Sequence, residues 1–151
     1  IPDEAGEWIE ASDRHGLDRI FLVSPDSTED RLKVVADNAR GFVYAAARMG
    51  VTGERATIDA SPELLVERTR PKELVARTRK AGAKNVCVGI GVSTAEQGAR
   101  VGSYADGVIV GSALVHTMLD ESGKHAVDEA TGLKALAEKT EELAEGIHNA
   151  R

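Results

Sequence analysis

Two glycine pairs carry the strongest chemical signal in this sequence. Gly89-Ile90-Gly91-Val92-Ser93 follows one apolar run, and Gly111-Ser112-Ala113-Leu114-Val115 follows the next. Glycine has no Cβ, so an anion can approach the backbone closely there. The first amides of a helix lack intrahelical partners and point at such an anion with the helix dipole behind them. Ser112 adds a hydroxyl donor. Neither stretch contains Lys or Arg, so binding would rest on neutral donors. The chemistry that suits this pattern is the holding of a phosphate group; the alternative is that the glycines only make tight turns.

A second pattern is Arg48-Met49-Gly50-Val51-Thr52-Gly53, at the start of a glycine-containing loop over residues 47–60. Two glycines bracketing a Val-Thr pair suit a loop that closes over a ligand, and equally a surface loop. Acid–base chemistry has less support. Asp3, Glu4 and Asp26 fall at strand ends but open helices, which makes them capping residues. His15, His125 and His148 read as surface residues, and His116 as the solvent side of a short helix. Trp8 belongs to an apolar helix stripe and is expected in the core. Cys87 sits in an apolar run and reads as a buried, inert thiol. With one cysteine, an intramolecular disulfide is impossible, and no metal-ligand spacing occurs.

The elements that must position these residues alternate regularly. A helix over residues 3–15 ends at Gly16. Apolar runs near 19–23, 41–46, 85–89 and 106–110 read as buried parallel strands. Helices are expected at 28–39, at 61–81 with an interruption at Pro71, from Ser93 to Val101, from Ser112 to Leu119 and from Gly132 to His148. The stripe of the last is Leu133, Leu136, Ala137, Thr140, Leu143, Ala144 and Ile147. A helix followed by four strand–helix units is an α/β pattern. Four strands cannot close a barrel, and a complete (β/α)8 barrel needs about 250 residues. Leu65–Arg70 recurs as Leu74–Arg79 around Pro71. Its arginine-rich face is expected to be solvated, and the segment looks like a local duplication.

The 151 residues are enough for one domain, and the composition is that of an ordinary globular protein with 42% hydrophobic and 29% charged residues. A net charge of -6 without a basic, aromatic-rich patch argues against nucleic acid. No apolar stretch approaches the length of a membrane span, and a cytoplasmic setting fits. The start at Ile1-Pro2-Asp3-Glu4, without methionine and just before a helix, reads as a cut through a longer protein.

These motifs, in this order and spacing, resemble the tryptophan synthase alpha chain family. The matching stretches are Ile1-Pro2-Asp3-Glu4, Arg19–Val23, Phe42-Val43-Tyr44, Met49–Gly53, Gly89–Ser93 and Ala105–Val115, so the likeness covers essentially the whole chain. It implies that residues 1–151 are the C-terminal half of a single (β/α)8 TIM barrel. It also implies a lyase that cleaves indole-3-glycerol phosphate to indole and glyceraldehyde 3-phosphate in tryptophan biosynthesis. Indole would pass to a tryptophan synthase β chain in an α2β2 assembly, and pyridoxal phosphate is expected only on that partner. By the same likeness Gly53, Gly91, Gly111 and Ser112 hold the phosphate, Tyr44, Gly89 and Ile90 line the substrate pocket, and Thr52 sits on the mobile loop. The family's catalytic carboxylates come from the first half of the barrel, so none is expected in this chain. The other reading is a non-catalytic half-barrel that self-associates or binds phosphate without turnover.

Overall fold

Local chemistry explains most helix ends. Helix α1 (Gly6–His15) stops at Gly16, whose φ of 63° is left-handed. The amides of Gly16 and Leu17 close the last turn on Asp13 O and Ser12 O. Helix α2 (Glu29–Asn38) opens at Thr28, whose side chain accepts from the Arg31 amide. Asp26 is therefore not its cap. The computed structural model describes residues 4–46 and 70–150. The loop at 47–60, with Thr52 and Gly53, and residues 65–69 of the first repeat copy lie outside these.

Strand β1 (Leu22–Val23) pairs in parallel with β2 (Val43–Ala46), Leu22 opposite Tyr44 and Val23 opposite Ala45. Strand β2 pairs in parallel with β3 (Val86–Gly89), Tyr44 opposite Cys87 and Ala46 opposite Gly89. With β4 (Gly107–Val108) the sheet order is β1-β2-β3-β4. The outer strands are shorter than their apolar runs, because an edge strand has a ladder on one side only.

Between β2 and β3, helix α3 (Pro71–Lys80) carries the second repeat copy. Residues 61–69 of the expected helix lie outside the described residues. Pro71 begins this helix, at the position where its missing N–H costs nothing. Arg70 precedes it with φ 45°. Helices α4 (Ala95–Gly102), α5 (Ser112–His116) and α6 (Glu129–His148) complete the order among the described residues. Helix α6 starts at Asp128, which accepts from the Thr131 amide. That cap extends the helix beyond the expected start at Gly132.

The described residues form two units. In the first, built on α1 to α3 and the sheet through Gly107, one sheet face is packed by α2 and α3. Val23, Val43, Ala45, Val86 and Val88 are buried on it, with Leu32, Val35, Leu74 and Val75 from the helices. Each such Val or Leu side chain contributes about 1.5–3 kcal/mol through burial. The other face, bearing Leu22, Tyr44, Ala46, Cys87 and Gly89, is partly open, and Leu22 is 64% exposed. Continuous apolar strands predicted burial on both faces, but among the described residues only one is fully covered.

Trp8 is also not core: it is 48% exposed. Helix α1 is instead anchored by a polar cluster around buried Arg19. Arg19 Nε donates to Asn38 O at 3.0 Å, and Nη1 donates to Ser12 Oγ at 2.9 Å and Asp13 Oδ1 at 2.5 Å.

In the second unit, α4 and α6 pack through glycines. A Cβ at Gly98 would meet Ile147 Cγ1 at 2.9 Å, and one at Gly146 would meet Ala95 O at 2.6 Å. This contact sets the buried face of α6. Leu143 is buried, whereas Leu133 is 51% exposed and Ala137 and Thr140 are exposed, so the expected stripe is narrower.

Candidate functional site

The pocket-lining candidates Tyr44 and Gly89 are brought together in the first unit. Parallel pairing puts Ala46 opposite Gly89, so Tyr44 lies two residues earlier on the same face. Its ring covers Gly89. A Cβ built there would lie 2.6 Å from Tyr44 Cζ and closer still to the hydroxyl oxygen. A side chain at position 89 would thus clash with a side chain from a neighbouring strand. The same holds at Gly107, where a Cβ would meet Cys87 Sγ at 2.7 Å. Cys87 is half-buried rather than buried. Burial, and then the negative charge of Asp106, push its thiol above the ordinary range, which disfavours a reactive thiolate. Ile90 follows Gly89 and is half-buried.

The anion-holding candidates lie in the second unit. Gly91 has φ 78° and nothing within 4 Å of a built Cβ. Its backbone conformation demands glycine, and the space above it is open. Position 111 is open too, with φ -126° and ψ -80° and no atom within 4 Å of a built Cβ. The bonds of α5 begin with Leu114 and Val115 donating to Gly111 O at 2.9 and 3.1 Å. Among the described residues, the amides of Ser112 and Ala113 donate to no backbone group outside the helix. Two N–H groups and the half-buried Ser112 hydroxyl thus stand at the helix start.

Ser93 differs from expectation. Thr94, not Ser93, caps α4, accepting from the Gln97 amide at 3.3 Å. Gln97 Oε1 turns back to accept from the Ser93 amide at 2.9 Å and from its hydroxyl at 3.2 Å. The Ser93 amide is therefore already occupied. The Thr94-Ala95-Glu96-Gln97 spacing is a capping-box signal legible in the sequence.

The shifted carboxylates do not supply a general acid. Asp120 is lowered first by the Ser122 hydroxyl, Asp128 by Thr131 and Glu142 by Lys139. All three are exposed structural acceptors, and a general acid near neutral pH needs a shift in the opposite direction. Among the described residues no cluster of His, Cys, Asp or Glu could hold a metal ion. No described helix is long and apolar enough to cross a membrane. His15, His116, His125 and His148 are all exposed.

A parallel sheet in which strand alternates with helix, with open glycine turns following the carboxyl ends of β3 and β4, defines a partial (β/α)8 barrel. The profile described as "Tryptophan synthase alpha chain" matches residues 1–148. The tryptophan synthase alpha chain of Bifidobacterium longum is 80% identical over 100% of this chain and 49% of its own length. That of Mycobacterium avium is 51% identical over 97% of this chain and 47% of its own. A Mycobacterium tuberculosis tryptophan synthase structure superposes with a TM-score of 0.74 at 46% identity, covering 97% of this chain and 48% of that one. The alpha chain structure from Legionella pneumophila gives 0.67 at 27% identity, covering 98% and 49%. The chain belongs to the tryptophan synthase alpha chain family, and it spans about half the length of the curated relatives it matches.

Proposed function

We propose that this chain is the C-terminal half of a tryptophan synthase alpha barrel and holds the substrate of its lyase reaction, the cleavage of indole-3-glycerol phosphate. The observation that carries the reading is the open backbone at Gly91 and Gly111, with the free first amides of α5 behind Gly111. Neutral donors at a helix start bind a phosphate without a lysine. In this reading Gly91, Gly111 and Ser112 hold the phosphate, Gly53 joins them from the loop, and Thr52 helps that loop position a catalytic group. Tyr44, Gly89 and Ile90 line the pocket for the indole and glycerol parts.

The cleavage breaks the bond between the indole ring carbon and the glycerol chain. The bonding pair stays with the ring, whose carbon takes a proton from one acid. A base removes the hydroxyl proton of the glycerol carbon, which becomes the aldehyde of glyceraldehyde 3-phosphate. Both groups belong to the half of the barrel outside this chain, so the 151-residue span alone turns nothing over. Indole then goes to a β chain in a cytoplasmic α2β2 assembly, where pyridoxal phosphate would reside.

The test is calorimetric titration of glycerol 3-phosphate into the intact barrel. Gly111→Asp adds bulk and like charge and abolishes measurable binding. Ser112→Ala loses roughly 1–3 kcal/mol for one hydrogen bond to a charged group. Unchanged affinity in Gly111→Asp means that the phosphate binds elsewhere. A second reading, a half-barrel that self-associates without turnover, is favoured by the open apolar face around Leu22. Concentration-dependent sedimentation of the 151-residue chain tests it.

A further inference from the structure

The arginine-rich repeat was expected to be a solvated face, but one of its arginines is committed to another element. Arg77 on α3 has a side chain only 28% exposed. Its guanidinium donates from Nη1 to Pro25 O at 3.1 Å, from Nη2 to Ser27 O at 2.6 Å and from Nε to Glu29 Oε1 at 2.7 Å. All three acceptors lie on the segment that leaves the carboxyl end of β1 and enters α2. That segment is also folded on itself. Ser27 N donates to Ser24 O at 2.9 Å, and Ser24 N donates to Ser27 Oγ at 3.0 Å.

The place of this loop gives the tether a consequence. Extending the register of Leu22 opposite Tyr44 and Val23 opposite Ala45 by one residue sets Ser24 opposite Ala46. Ser24 therefore stands on the face that carries Tyr44, at the carboxyl end of the sheet, where barrels of this architecture do their chemistry. We infer that Arg77 is a positioning residue, fixing the Ser24–Thr28 loop as a wall of the substrate pocket beside Tyr44. The inference rests on the lyase reading above. A planar guanidinium can bind two carbonyls and a carboxylate at once, and a lysine ammonium on its flexible stem does not reproduce that fork.

The experiment compares Arg77→Ala and Arg77→Lys with wild type in the intact barrel, by indole release and by amide hydrogen exchange. Exchange at the Ser24 and Ser27 amides is expected to rise about tenfold in Arg77→Ala, with α1 amides unchanged. KM for indole-3-glycerol phosphate rises about 3- to 10-fold while kcat stays within about twofold, the split expected for lost binding. Arg77→Lys restores less than half of the difference. A merely structural role would lower the amount of active protein without moving KM. If Arg77→Ala does not fold, Ser27→Ala removes the hydroxyl that holds the Ser24 amide and is expected to raise KM in the same way. An unchanged KM beside an active wild type overturns this inference alone, and so does full rescue by lysine. A wild type that releases no indole overturns the lyase reading itself.

Discussion

Adding a single methyl group at position 89 should displace the Tyr44 ring. The built Cβ lies 2.6 Å from Tyr44 Cζ, whereas ordinary contact begins at 3.4 Å, so the ring must retreat by about 0.8 Å, and the hydroxyl by more. Tyr44 is half-buried on the open sheet face, so in this chain the ring can swing aside at small cost. In a filled barrel the same overpacking costs about 1–3 kcal/mol. If Tyr44 lines the pocket as proposed, displacing it by most of an ångström is a large effect on catalysis, up to about 100-fold. We expect Gly89→Ala in the intact barrel to lower kcat/KM for indole-3-glycerol phosphate by about tenfold or more, with a folded circular dichroism spectrum. Tyr44→Ala should abolish the added stability cost of Gly89→Ala, because the clash has one named partner. The assay is indole release on the four members of that cycle, with urea unfolding in parallel. Wild-type kcat/KM in Gly89→Ala, or equal stability costs with and without the Tyr44 ring, would refute the reasoning.

Further outcomes concern the frame around the site. Arg19→Ala should destabilise the protein by about 3 kcal/mol, since it orphans Asn38 O and empties a buried position, while half-exposed Asp13 keeps its 2.7 Å contact with Arg40. Arg19→Met, which keeps the apolar stem, should lose less; equal losses in urea unfolding would count against the packing share. Gly146→Ala should separate α6 from α4, because its methyl would meet Ala95 O at 2.6 Å, and a lower thermal midpoint is the readout. Asp128 is held below the ordinary carboxylate range, first by the Thr131 hydroxyl. A group lowered on folding contributes stability above its unfolded pKa and loses it as pH falls through the folded one. Asp128→Ala should therefore weaken the protein at neutral pH and progressively less in acid, and a pH-independent difference would contradict the capping role.

The order of elements was readable because it depends on local chemistry. Apolar runs, Gly16 after α1 and the alternation of strand with helix are consequences of neighbours in sequence, and they led to the parallel sheet. The sequence also marked the turns at Gly91 and Gly111, where the structure has open backbone with no atom near a built Cβ. What it could not provide was the identity of non-local neighbours. Gly89 is crowded because Tyr44, on another strand, lies over it. Ser93 loses its amide to Gln97. The buried stripe of α6 is narrowed because three glycines let α4 and α6 meet closely along one line. Trp8 and Leu133 have the helical spacing of core residues but are exposed, because spacing defines a face and only packing decides which part of that face is covered. Arg77 is the sharpest instance. Within the repeat it is indistinguishable from a solvated arginine, and only the fold brings the carbonyls of Pro25 and Ser27 within reach of its guanidinium.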